Sequence, residues 1–209
     1  MLVVGVANLE EPFSYLSILS EMQNHRPIDD YLDLNCVDLK PEIPNTEVDK
    51  LSYCERGYFY DFYPKSSFIK EPDFYVTGSG KCVSGYRYKA KPHIVKYLTK
   101  VIRNPEKTFW NTDIVDFAEN EAKKDEQRRK KYDIISNHYV SMYLNYDEDI
   151  KTAVNLVKML NPGGILLTHD DGVFPEIMKC YVNTKKNKVL EKVGPGIYKK
   201  VGEIKKEKV

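Results

Sequence analysis

"LVVGVANLEEPFSYLSIL", residues 2–19, sets two carboxylates and a proline between two apolar patterns. Its opening run of Val, Leu and Ala has the composition of a short buried strand. After Pro12, the residues Phe13, Leu16 and Leu19, with Ile18 beside them, recur at helical spacing. Glu10 and Glu11 therefore stand at a strand-to-helix turn. In open α/β sheets the carboxyl end of the first strand is a place where ligands bind.

Downstream, "DDYLDLNCVDLKPEIP" (29–44) predicts a second strand over 31–37 that ends at Asp38, before Pro41 stops regular structure. Residues 49–97 are rich in Tyr and Phe, and within "YVTGSGKCVSGYRYKAKP" (75–92) Gly78 and Gly80 suit the turn of a β-hairpin. "EKTFWNTDIVDF" (106–117) offers a strand over 108–110 leading to Asp113. A charged, solvent-exposed segment follows and runs into an apolar strand, Asp133 to Ser136. "DEDIKTAVNLVKMLNPGGILLTHDD" (147–171) has an acidic helix start, apolar spacing at Ile150, Val154, Val157 and Leu160, and a Pro-Gly-Gly stop before a strand from Ile165 to Thr168. The tail (177–201) is expected to form a last pair of strands around a Lys/Asn turn. No internal repeat is visible. Strands alternating with helices and ending in a hairpin predict a doubly wound α/β sheet of Rossmann-like type. One domain is expected over 1–209, with an aromatic-rich, β-rich insertion at 55–98.

The bulk numbers narrow the function. A chain of 209 residues, 42% hydrophobic, suits a globular domain, and 32 basic against 31 acidic residues exclude nucleic-acid binding driven by overall charge. The apolar runs are far short of the ~20 residues of a membrane-spanning helix, and the first strand lacks the flanks of a signal peptide, so a cytoplasmic location is expected. Cys36, Cys54, Cys82 and Cys180 are scattered, with no C-x-x-C pair and no His at ligand spacing, so neither a metal site nor a disulfide framework is expected. At the end of the second strand, Asp38 has the acceptor-only chemistry that suits a ribose diol, and equally that of a turn cap.

"ANLEEPFSYLSIL" (7–19) resembles the A-x-S-x-G-E-E-P-Y-S-x-A turn of the chemotaxis-receptor glutamate methyltransferases (CheR-type), a branch of the class I S-adenosylmethionine (SAM) methyltransferases. The likeness continues in order. "CVDLKP" (36–41) resembles the family's second-strand acidic motif, "RGYFYDF" (56–62) its arginine-or-glycine-tyrosine stretch, and "FWNTDI" (109–114) the segment ending in its adenine-contacting Asn-Leu. Residues 132–171 resemble its signature F-D-x-I-x-C-R-N-V-x-I-Y-F with the following helix and L-x-P-G-G-x-L, and "GPGIYKKV" (194–201) resembles its C-terminal strand.

The resemblance implies SAM as cofactor and methyl transfer to a protein carboxylate. It places Asp38 on the ribose, Glu11 near the amino-acid or ribose portion, Asp113 and Ile114 on the adenine side, and Tyr143 near the transferred methyl. Where the family has its Arg-Asn pair this sequence has His138 and Tyr139, which take the same cofactor-side positions, and His138 is the candidate base for an alcohol or amine acceptor. Glu11 and Asp113 also read as helix caps, and Tyr143 as a packing residue. The family's turn glycine is Leu9 here. In that family a helical domain precedes the first strand. Its absence from the sequence as given leads to the expectation of another chain over the site, a longer protein, or a different nucleophile.

Two further features carry alternatives. "KKDEQRRKK" (123–131) is a solvated face or, on the rival reading of an RNA methyltransferase, a phosphate contact. The aromatic and basic stretches "FYPKSSFIK" (62–70) and "GYRYKAKPH" (85–93) suit stacking and phosphate contacts, or equally a small sheet whose Tyr faces pack on the main domain; the resemblance implies a protein-docking surface here. The other rival is a degenerate methyltransferase fold kept as a protein-interaction module.

Overall fold

The computed structural model describes residues 1–6, 9–24, 26–39, 52–54, 68–76, 82–105, 107–137, 140–168, 176–183 and 187–204. Along them run β1 (Leu2–Val4), α1 (Glu10–Met22), β2 (Asn35–Asp38), β3 (Ser52–Cys54), β4 (Phe68–Val76), β5 (Cys82–Ala90), α2 (Pro92–Ile102), β6 (Phe109–Asn111), α3 (Ile114–Lys123), β7 (Tyr132–Asn137), α4 (Tyr146–Met159), β8 (Leu160–Thr168), β9 (Leu190–Gly194) and β10 (Ile197–Lys200). They divide into two compact units, one of Met1–Gly5, Leu34–Lys40 and Trp110–Val209, the other of Val6–Asp33 and Pro41–Phe109. No helix among the described residues is long and apolar enough to cross a membrane.

The first unit is built on a seven-stranded sheet in the order β6-β2-β1-β7-β8-β10-β9. β1 is parallel to β2 and β7, and β7 is parallel to β8. β10 runs antiparallel to both of its neighbours, β8 and β9. All three residues of β1 are buried, as its continuous apolar run predicts. The order turns back between β1 and β7, which makes their carboxyl ends the topological switch point. The core joins Leu2, Val4, Ile135 and Leu166 of the strands to Phe117, Ala118, Ala153 and Leu156 of α3 and α4.

α4 starts in a capping box: Glu148 N donates to Asn145 Oδ1 at 3.1 Å, and Asn145 N donates to Glu148 Oε2 at 3.0 Å. Past its other end, Lys131 Nζ donates to Lys158 O at 2.8 Å. Lys200 Nζ donates to Leu160 O at 2.9 Å and pairs with Glu203 at 2.9 Å, although Lys200 itself is buried. These cations meet carbonyls at the negative end of the helix dipole. Burial first, and then the charge of Lys200, hold the Lys131 ammonium below the ordinary lysine range.

The second unit packs α1 against α2, with a small antiparallel sheet in the order β3-β5-β4. β4 and β5 pair from Phe68↔Ala90 to Val76↔Cys82, as the expected hairpin requires; the glycines of its turn lie outside the described residues. Tyr97 OH donates to Leu32 O at 2.6 Å, and Ser20 Oγ meets His93 Nε2 at 3.0 Å between α1 and α2. The Tyr97→Phe variant is expected to lose about 1 kcal/mol of stability, because one nearly buried hydrogen bond goes while the ring packing stays. Urea unfolding checks this, and an unchanged midpoint would count against the bond.

Three expectations are corrected. The charged segment that opens at Ala118 is exposed over 123–128, as expected, but its start is not: Ala118 and Glu121 are buried at helical spacing, and it folds as part of α3 as far as Lys123. The last hairpin does not turn on Lys/Asn. Its strands are β9 and β10, joined at Pro195-Gly196 with Gly196 at φ 62°, while Met178–Val182 coils as a π-helix. The Pro-Gly-Gly stop lies inside β8, where four residues of β8 stand against one of β7 between the Tyr132↔Leu160 and Ile134↔Ile165 pairs.

Candidate functional site

In the first unit, the carboxyl ends of β2, β1, β7 and β6 bring together the side chains of most chemical interest. Asp38, half-buried, closes β2. The β6 end is tied to it through backbone: Thr112 N donates to Asp38 O at 3.1 Å. With its amide nitrogen turned toward the two carbonyls, Asn111 donates to Leu39 O at 2.7 Å and to Asp38 O at 3.3 Å. One residue beyond Thr112, Asp113 caps α3, its Oδ1 accepting from Val115 N at 2.7 Å. The cap reading of Asp113 is thus realised, and it occupies one carboxylate oxygen. Asp38 thus ends β2, and Asp113 lies two residues past the end of the neighbouring β6. Ile114, buried, belongs to the core cluster.

At the switch point, β1 runs into Gly5, whose N–H donates to Val37 O at 2.9 Å. Gly5 has φ +73°, and a Cβ there would lie 2.5 Å from Val140 Cγ2. The turn after β1 and the turn after β7 therefore approach as closely as a glycine allows. Asn137 closes β7 and is buried. Tyr143 ends the short 3₁₀ turn Val140–Tyr143 that follows, with its side chain 81% exposed. At that exposure it is not a packing residue. His138 and Tyr139 lie outside the described residues.

In the second unit, Glu11 sits in the first turn of α1 and its Oε1 accepts from Tyr15 OH at 3.0 Å. Leu9, the residue just before α1, is fully buried and adopts φ 63°, ψ 13°, the left-handed region. The backbone keeps the conformation that a glycine would favour although the side chain is large.

The basic run is mostly engaged within its own unit. Lys123 pairs with Glu119 at 2.8 Å and Lys124 with Glu121. Arg129 Nη2 donates to Ala122 O at 2.7 Å and Lys124 O at 3.2 Å, closing the end of α3. Lys130 Nζ stands 4.0 Å above the centre of the Trp110 ring. Residues 123–131 thus act chiefly as the terminus of a helix.

The reading from sequence passed over Asn111 and Asn137. The available signal was positional, since each is a polar residue closing a strand that leads into a turn. No protein-family model matches the chain, and no curated protein matches it.

Proposed function

We propose that the chain is a SAM-dependent methyltransferase domain of class I type, acting on a protein carboxylate or another polar group. The observation that carries this reading is the sheet order. Counted along the large sheet alone, the strands run 3-2-1-4-5-7-6 with the seventh antiparallel. That is the doubly wound order, closed by the C-terminal hairpin expected for class I methyltransferases. The residues fit the ligand by donor and acceptor. Asp38 would accept from the ribose diol, and Asp113, through its oxygen outside the cap, would accept from the adenine amino group. The resemblance alone supports the roles given to Glu11, Ile114, His138, Tyr139 and Tyr143.

Bound SAM supplies a sulfonium with an electrophilic methyl. The residues of this chain have only to bind it, align the acceptor and keep water out. A cytoplasmic setting belongs to this proposal. A protein partner at the small sheet belongs to it too, by resemblance.

Calorimetry with SAM and S-adenosylhomocysteine tests the reading. The wild type is expected to bind in the micromolar range, and Asp38→Ala to bind about 10- to 100-fold more weakly, the size of hydrogen bonds to a charged acceptor. No heat at millimolar ligand, with a folded sample, would overturn it. That result would favour the second reading, a fold kept for protein interaction, whose supporting observation is the bulky Leu9 in the place of the family's glycine. The internal partners of the 123–131 cations remove most of the support for an RNA substrate.

A further inference from the structure

We propose that Asn137 is the residue that receives the ammonium group of the bound ligand, an assignment that rests on the SAM reading above. Asn137 is 1% exposed, and its Oδ1 is buried with no hydrogen-bond partner among the described residues. A buried amide oxygen without a donor costs stability and calls for an explanation. This one closes β7, level with Thr168 at the end of β8 and beside the end of β1, at the point where the sheet order turns back.

The donor that it lacks can be inferred from chemistry. Asn137 lies two strands from Asp38 across β1, roughly 10 Å at ordinary strand spacing. The 5′-carbon, the sulfur and two methylenes that separate ribose from α-carbon can cover that span. The amino-acid end of such a ligand carries a carboxylate, which only accepts, and an ammonium, which only donates. Oδ1 repels the first and complements the second. A carboxamide suits the position better than a carboxylate, because the empty site then buries a dipole instead of an uncompensated charge.

The probes are S-adenosylhomocysteine and 5′-methylthioadenosine, which lacks the amino-acid portion. Both are titrated by calorimetry into the wild type, Asn137→Ala and Asn137→Leu. The second variant nearly conserves volume and keeps the test sound if alanine does not fold. Each variant is expected to bind S-adenosylhomocysteine ~10-fold more weakly and 5′-methylthioadenosine within ~2-fold of the wild type. Without ligand, Asn137→Leu is expected to melt ~4 °C higher, because the unsatisfied oxygen is gone. Equal weakening of both probes, or of neither, overturns the assignment while leaving the SAM reading intact. Failure of both probes to bind the wild type overturns the SAM reading, and this assignment with it.

Discussion

Replacing Gly5 by alanine is expected to lower the unfolding free energy by about 3 kcal/mol. Two costs combine. The left-handed φ of +73° is strained for any residue with a Cβ, by about 1–2 kcal/mol. The new methyl would also stand 2.5 Å from Val140 Cγ2, and forcing extra volume into packed surroundings costs about 1–3 kcal/mol. A double-mutant cycle separates them. In a Val140→Ala background the clash is relieved and only the strain remains, so the cost of Gly5→Ala should fall to about 1–2 kcal/mol. Strictly additive losses would show that the turns after β1 and β7 do not meet as described. Since those turns flank Asn137, the same substitution is also expected to weaken S-adenosylhomocysteine binding.

Leu9 presents the opposite conflict, a large side chain kept at a position whose backbone suits glycine. Leu9→Ala should cost about 3 kcal/mol, as for a buried leucine cut to a methyl, because the alanine keeps the left-handed strain and leaves a cavity. Leu9→Gly leaves the same cavity but relieves the strain, so it should be about 1 kcal/mol more stable than Leu9→Ala. That ranking reverses the usual one, in which glycine is the worse replacement. Urea midpoints of the two variants decide it, and a glycine variant less stable than the alanine one would mean that the φ of 63° stores no strain.

This position also shows how much of the site could be read from residue order. The strand-turn-helix at 2–19, the acid closing the second strand and the hairpin of the small sheet were legible because each rests on local signals: apolar period, a Pro stop, paired glycines. The left-handed Leu9 was not, because residue type marks a glycine conformation only when the residue is glycine. α3 was hidden by its charge. Its apolar stripe is only Ile114, Phe117 and Ala118, with Glu121 completing the buried face, and an acid on that face masks a helical period. The tail misled because both Lys/Asn and Pro-Gly suit turns. The choice between them was made by pairing to β8, a contact made far along the chain. For Asn137, the sequence shows a polar residue at a strand end, but its lack of a partner is a property of packing.

The interleaved order at one end of the large sheet has a consequence for biosynthesis. β10 lies between β8 and β9, so β9 reaches the sheet only through the strand that is made after it. While the chain is being synthesised, β8 is a bare edge of apolar residues, open to pairing with any extended segment nearby, until residues 197–200 have emerged. The buried Lys200 arrives at the same moment and supplies the donor for Leu160 O. A chain interrupted before residue 197 therefore loses two strands from the sheet, not one.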